Sequence, residues 1–356
     1  MPRRSAQVAQ RPAGAALPRQ RLLLALLALL LRAAAGIPPF NASAHYTPRL
    51  DPGDCLIARA AGWGLGSQLV HLLHAASLVP PERLYWEFWE SPYGCCPEPG
   101  PDVGACNRWR TLFEPGAPPA DAPLQFRFLN DVTVEFLDNA TGANKTCLRW
   151  AALHVAHFNR AAYNGSDPSA CAALCAPMRA LWRLAPAMRS AVDYELSTLG
   201  HYPPPLLVLQ VRGGDKLGTE VQPYDLRPGV EKLAARHTHQ GGTCVILGDD
   251  WALGQRAEAL ARELLNCSAV LNRLQPHYAH DQARMNAEAA ASRCWRTQRL
   301  LVDIELLAAA DGGAALLQSN VARVATLLRE CRTPGAAAAL LDWQGRDALR
   351  EACIPF

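Results

Sequence analysis

The chain has 356 residues, half of them apolar, which is enough length and core for two domains of ordinary size. Its formal net charge of +3 misleads, because seven arginines precede the first acid, Asp51, leaving 28 of the 35 basic residues against 32 acidic ones. That slightly acidic body argues against a nucleic-acid-binding surface, which would present a basic face.

The N-terminus reads as a targeting segment. Basic residues lead into LLLALLALLL, residues 22–31, then Arg32 and a small-residue run, Ala33 to Gly36. The apolar run is short against the roughly 20 residues of a membrane span. The pattern fits a signal peptide or a short signal-anchor, and an acid-poor, Arg-rich leader also fits an organelle transit peptide. Two features favour the secretory route. The 12 cysteines are even in number, and Cys95, Cys96 and Cys106 lie in a Pro/Gly-rich loop, which suits disulfides in an oxidising lumen. No cysteine pair has the CxxC spacing of a zinc site. N-x-Ser/Thr sequons at Asn41, Asn139, Asn144, Asn164 and Asn266 support a glycosylated luminal protein.

Residues 37–50 form a short Pro-containing stem, and a first α/β region is expected over 51–200. It opens with GWGLGSQLVHLLHAASLV, where Gly62, Gly64 and Gly66 precede an apolar helix. Residues 91–121 read as a stapled loop, helical pattern returns over 168–196, and HYPPP, 201–205, reads as a linker. The second region, 205–335, alternates strand and helix. Strands are expected at Leu206–Val211, Thr243–Leu247, Ala269–Leu271 and Ala314–Leu317. Helices are expected from Ala252 to Leu265, from Arg299 to Ala309, and after Gln318, Ser319 and Asn320 through Leu328. This is the βαβ rhythm of a parallel sheet in an α/β fold. A last helix is expected from Ala336 to Arg350, within a C-terminal segment 336–356.

Five places are candidates for chemistry. The segment LLVLQVRGGDKLGTE, 206–220, is a buried strand that ends in Arg212, two glycines, Lys216 and Glu220. A polar loop at the end of such a strand is where open α/β sheets bind ligands. Arg212 and Lys216 can hold phosphate there, and Glu220 adds a carboxylate. The bland alternative is a solvated turn with an Arg–Asp salt bridge. Lys216 is one of three lysines among 35 basic residues, so a lysine in this loop points to a compact charge. Ser319–Asn320 precede a helix whose free N–H groups suit phosphate, although both are ordinary N-caps. Asp249–Asp250 can bind sugar hydroxyls or a metal, or cap the next helix. Asp303 sits in an apolar helix, where a buried acid is costly unless paired, so it lies at the core edge or contacts a ligand. The Gly62–Gly66 spacing is GxGxG, which fits a tight strand–helix turn better than a dinucleotide fingerprint. No His/Cys/Asp cluster has metal-ligand spacing, and GDD lacks the D-x-D form of metal-dependent transferases, so no metal is expected.

These segments fall in a recognisable order. VRGGDKLGTE resembles the VRRTDKVGTE motif of the α-1,6-fucosyltransferases, which modify N-glycan cores. GWGLGSQLVH resembles that family's Gly-rich G-x-G-x-G-x-Q-L segment, GDD at 248–250 its T-D-D, and VDIELLAAADGGAALLQSNVARV its L-D-I-x-F-L-x-x-A-D block. The blocks are collinear from about Asp51 to about Cys331. The resemblance implies a two-domain, GT-B-like α/β fold whose C-terminal Rossmann-like parallel sheet binds the donor nucleotide. It implies an inverting enzyme that uses GDP-fucose, with no metal and no other cofactor. By resemblance Arg212 would hold the donor pyrophosphate, Glu220 would be the base and Lys216 the assisting cation. Asp249 and Asp250 would act on the donor or acceptor side, and Asp303 would contact the guanine. Ser319 and Asn320, with their helix N-terminus, would hold the β-phosphate. Gly64 would lie against the donor, and Tyr93 would match a nucleotide-side tyrosine across a gapped loop.

The implied partners are a GDP-sugar and a glycan acceptor on a glycoprotein, with membrane contact only through an N-terminal anchor. The implied location is the Golgi or another secretory lumen, as a type II membrane protein or a secreted one. The sequence departs from the family at Gly213, where the motif has a second arginine, and at Gln210, where it has a histidine. The family's coiled-coil stem and C-terminal SH3 domain have no counterpart in these residues. The alternatives are a catalytically weak glycan- or nucleotide-binding relative, or a transferase of another nucleotide sugar. If the site is otherwise family-like, Gly213→Arg is expected to raise GDP affinity.

Overall fold

The computed structural model describes residues 55–59, 64–87, 93–95, 108–114, 120–121, 127–128, 133–137, 143–151, 168–217, 223–237, 241–277 and 279–346. The leader, the stem, Glu220, the sequons Asn41, Asn139 and Asn164, and residues 347–356 lie outside the described residues, as does most of the loop 91–121.

A first sheet contains β1 (Cys55–Arg59), β2 (Leu84–Glu87), β3 (Ala120–Asp121), β4 (Arg127–Phe128), β5 (Thr133–Leu137) and β6 (Asn144–Ala151). Its order is β3-β2-β1-β6-β5-β4. Strand β1 is parallel to β2 and β6, while β5 and β6 form an antiparallel pair. Leu56, Ile57 and Ala58 of β1 are completely buried. A strand this short and covered on both sides shows no period-2 alternation, which is why it is hard to locate in sequence. Strand β1 is followed by the helix Leu65–Leu78, with Gly64 just before it, and residues 60–63, including Gly62, lie outside the described residues.

The helical stretch expected over 168–196 is two helices, Pro168–Leu181 and Pro186–Leu199. Pro186 explains the break, since proline drives the residue before it out of the helical region, and Ala185 is extended at ψ 149°.

The second sheet is entirely parallel. It contains β7 (Leu206–Val211), β8 (Thr243–Gly248), β9 (Ala269–Asn272), β10 (Gly312–Ala315) and β11 (Leu340–Asp342), in the order β11-β10-β7-β8-β9. Strand β7 matches its expected bounds, and β10 begins two residues early. The helix expected from Arg299 begins at Ala290. A helix the sequence reading lacked, Arg227–Arg236, carries Pro228 in its first turn, where no backbone donor is needed.

The final helix expected over 336–350 is corrected. Residues Ala336–Ala339 make a 3-10 turn and Leu340–Asp342 become strand β11. Alanine favours a helix locally. Here Leu340, Leu341 and Asp342 are buried and pair with Gly313–Ala315, so edge pairing overrides propensity.

The described residues belong to one compact unit, Thr47–Phe356. Its largest core runs without interruption from Leu56 in β1 to Val208 in β7. The helix Asn320–Arg332 packs on both Leu65–Leu78 and Pro168–Leu181, and Cys175–Cys331 crosslinks two of the three. Disulfides Cys55–Cys147, Cys95–Cys294 and Cys244–Cys267 complete four among the described residues. Four bridges mark a chain that matures in an oxidising compartment. No helix among the described residues is long and apolar enough to cross a membrane.

Candidate functional site

A cleft opens at the C-terminal ends of β7, β8 and β9 and beyond β10. Strand order reverses beside β7, because β8 and β9 follow on one side while β10 and β11 lie on the other. Open α/β sheets bind ligands at such a switch point. The cleft brings together Gly64, Tyr93, Arg212, Lys216, Asp249, Asp303, Ser319 and Asn320 from the sequence-derived set. Asp250 is not among its lining residues, and Glu220 lies outside the described residues.

The Arg212 loop is knitted to the loops after β8 and β9. The Arg212 guanidinium pairs with the Asp249 carboxylate. Asp249 Oδ1 also accepts from the Gly213 N–H at 2.9 Å, and its carbonyl accepts from the His280 N–H at 2.9 Å. Asp250 accepts from the Gly214 N–H at 3.1 Å and caps the next helix through the Leu253 N–H at 3.0 Å. The anticipated Arg–Asp salt bridge therefore exists, with a partner from the neighbouring strand. Of the readings open for Asp250, helix capping is the one this geometry satisfies.

Tyr224 pins the Arg212 backbone, accepting from its N–H and donating to its carbonyl, both at 2.9 Å. Burial, above all, pushes the Tyr224 hydroxyl up to about 12, so it stays protonated. The His280 imidazole is held below its ordinary value by burial and then by the Arg212 charge, so it is neutral at pH 7.

Gly213 is required by close approach. A Cβ there would lie 2.4 Å from Asp250 Oδ2 and 2.7 Å from Asp250 Cβ. A side chain at 213 would therefore displace Asp250 from its cap, a steric obstacle to the expected effect of Gly213→Arg. Gln210 is buried, and its Oε1 accepts from the Leu316 N–H at 3.1 Å, tying β7 to the exit of β10.

Two helix N-termini converge on the cleft. Gly64 to Ser67 open one helix, and Gln318 to Val321 lead into the other. Gly66 permits the contact: a Cβ there would meet Val321 N at 2.9 Å and the Asn320 carbonyl carbon at 3.1 Å. Asn320 Nδ2 donates to Ser67 Oγ at 2.7 Å across the junction. Neither helix has a side-chain cap or an acid in its first turn. Ser319 thus occupies the N-cap position without capping, which favours ligand binding over ordinary capping. Two positive helix ends without a side-chain cap or a first-turn acid are chemically suited to an anion.

Away from these helix ends the cleft holds a buried charge cluster. Asp303 is 9% exposed and faces Arg299 Nε at 3.6 Å and Arg273 Nε at 3.9 Å. Both distances exceed a hydrogen bond, and Asp303 Oδ1 and Arg273 Nη2 are buried without a hydrogen-bond partner. Burial pushes the Asp303 carboxyl up to about 6, against the opposing pull of Arg299 and then Arg273. Arg273 is also held by Glu195 at 2.5 Å. A carboxylate with an unused acceptor fits a ligand edge that carries N–H donors.

Tyr93 reaches the cleft from the loop 93–95. Its hydroxyl donates to Gln282 Oε1 at 3.0 Å, and the loop is fastened by Cys95–Cys294. Residues the sequence reading missed include Arg273, Arg299 and Trp295. The signal available for Arg273 was its position just after the short strand β9, and for Arg299 its place one turn before Asp303. Among the described residues no group of three or more His, Cys, Asp or Glu gathers as a metal site would.

No protein-family model and no curated protein matches the chain. Among solved structures it is similar to a mutant of Arabidopsis thaliana FUT1 in complex with GDP, at 11% identity and a TM-score of 0.45, covering 87% of this chain and 77% of that one. It is similar to the fucosyltransferase NodZ from Bradyrhizobium at 13% identity and a TM-score of 0.43, covering 77% and 93% respectively. For a NodZ alpha-1,6-fucosyltransferase co-crystallized with GDP the identity is 15% and the TM-score 0.42, covering 77% and 92%.

Proposed function

We propose that this chain is an inverting glycosyltransferase of the secretory pathway that moves fucose from GDP-fucose to a glycan, in α-1,6 linkage on an N-glycan. One observation carries the reading. Two uncapped helix N-termini meet beside Arg212 in a cleft that also holds a buried, unsatisfied carboxylate. A diphosphate suits the first feature, and the N1–H and N2–H edge of guanine suits the second. The four collinear motifs resembling the α-1,6-fucosyltransferases support the same assignment independently.

In this scheme the guanine rests against Asp303, and the diphosphate lies over the helix ends at Gly64–Ser67 and Ser319–Val321. The sugar points toward Lys216, and the role of base is given to Glu220 by the resemblance of its motif. Glu220 accepts the proton of the acceptor hydroxyl as that oxygen bonds to the anomeric carbon from the face opposite the diphosphate. The bond from that carbon to the β-phosphate oxygen breaks, and GDP leaves with the electron pair. Negative charge grows on the diphosphate, where Arg212, Lys216 and two helix dipoles stabilise it. Those groups supply positive charge without a divalent ion.

The test is GDP binding, GDP-fucose turnover and transfer to an N-glycopeptide, each in excess chelator, with UDP and ADP as controls. Activity that persists in chelator and selects GDP is the expected result. Loss of activity restored by manganese would recast Asp249 as a metal ligand, and no affinity for GDP would end the donor assignment. A catalytically weak binding relative is the second reading, favoured by the pairing of Arg212 with Asp249, which already neutralises part of the loop's charge. GDP binding without transfer would select it.

A further inference from the structure

Among the described residues four large apolar side chains are exposed, Tyr194, Tyr202, Leu217 and Trp295. Of these Trp295 alone lines the cleft, and it is 52% exposed. We infer that Trp295 is the stacking platform for a pyranose ring of the acceptor glycan, with Arg296 as its polar neighbour.

The inference rests on the donor reading above and concerns a different part of the same cleft. Trp295 precedes Asp303 by eight residues on one continuous helix, which is about 12 Å along its axis. Both side chains lean toward the helix N-terminus, so that separation along the axis is kept between them. A purine whose edge is read by Asp303 does not span that gap. The exposed ring at the mouth is therefore left for the other substrate.

The surroundings select a carbohydrate. Arg296 lines the cleft beside Trp295, and Glu288 holds its guanidinium in plane through bonds of 2.6 and 2.9 Å. Arg293 donates to the Glu288 carbonyl on the same turn. A lipid chain or apolar peptide would desolvate these charges without compensation. A pyranose offers a flat C–H face to the indole and a rim of hydroxyls to the guanidinium and water.

The platform is also rigid. The adjacent Cys294 is bridged to Cys95, and Thr297 Oγ1 accepts from the Gly94 N–H at 3.3 Å while donating to the Arg293 carbonyl at 2.7 Å. A ring carried on a fixed backbone has only its own two side-chain torsions to order when a sugar stacks on it.

The experiment compares the full-length wild type with Trp295→Ala and Trp295→Phe. It measures the KM for an N-glycopeptide carrying the trimannosyl-chitobiose core, and separately the Kd for GDP. Trp295→Ala should raise the glycopeptide KM roughly tenfold, the scale of one lost aromatic contact, while the GDP Kd moves less than about twofold. Trp295→Phe should recover most of the KM. An unchanged KM, or a GDP Kd that rises in step with it, overturns the acceptor role, the latter in favour of base stacking. A wild type that binds GDP but does not use the glycopeptide also overturns it. A wild type without affinity for GDP removes the donor reading instead, and this inference with it.

Discussion

Gly213→Ala tests whether Asp250 organises the loop that carries Arg212. The new methyl would sit 2.4 Å from Asp250 Oδ2 and 2.7 Å from its Cβ and Cγ, so a rotamer change does not relieve the clash. Asp250 must leave, and two bonds go with it: the cap to the Leu253 N–H at 3.0 Å and the bond to the Gly214 N–H at 3.1 Å. A lost N-cap costs about 1 kcal/mol. A lost bond to a carboxylate costs about 1.5–3 kcal/mol when water cannot replace it. Asp250 is half-buried, so water replaces part of the second loss, and the sum is about 2 kcal/mol. Urea unfolding with disulfides intact, followed by tryptophan fluorescence, measures it. The control is Asp250→Gly, which removes the Cβ as well as the carboxylate. In that background Gly213→Ala should cost less than about 0.5 kcal/mol, giving a coupling of about 1.5 kcal/mol or more. A Gly213→Ala penalty under about 0.5 kcal/mol, or the same penalty in both backgrounds, would refute the close-approach argument. Gly213→Arg meets the same obstacle and should weaken GDP binding.

Other outcomes follow from the same cleft. Arg212→Ala should lower kcat/KM by roughly 3 kcal/mol, the range seen when one charge-stabilising donor is lost, and Arg212→Lys should not rescue it because lysine lacks the planar fork. Turnover within twofold of wild type would show that the loop is not the donor site. Asp303 has a folded pKa of about 6, raised above its unfolded value, so the native chain binds the extra proton and this group's contribution to stability falls as pH rises from about 4 to about 6. Reading guanine requires the ionised form, so guanosine affinity should weaken as pH drops through about 6, and Asp303→Asn should flatten that dependence. Guanosine is the probe because the terminal phosphate of GDP titrates nearby, and a profile unchanged by Asp303→Asn would count against the base contact. Asn144 and Asn266 are exposed sequons, so glycosidase treatment of protein from a secretory host should lower its mass, with one step lost in each Asn→Gln variant. Absence of any shift, together with fully reduced cysteines in the native protein, would favour the transit-peptide alternative.

Much of the cleft around Arg212 is local information. Strand β7 is apolar except for Gln210 and buried along nearly its whole length, and glycines mark where it ends, so the loop bearing Arg212 and Lys216 is visible without a fold. The segment before Asn320 shows itself as a helix start for the same local reason. Three decisions needed the tertiary structure. Alanines 336–339 favour a helix on their own, but the free edge of β10 draws Leu340–Asp342 into the sheet. In sequence the acid nearest Arg212 is Asp215, whereas the parallel pairing of β7 with β8 brings Asp249 against its guanidinium. The two helix N-termini meet in one cleft through the close approach of Gly66 to Val321, joined by an Asn320–Ser67 bond that spans 253 residues. Propensity, capping and apolar runs act over a few neighbouring residues. Which charges compensate each other, and which helix ends share a cleft, depends on contacts that exist only once distant strands and helices have packed.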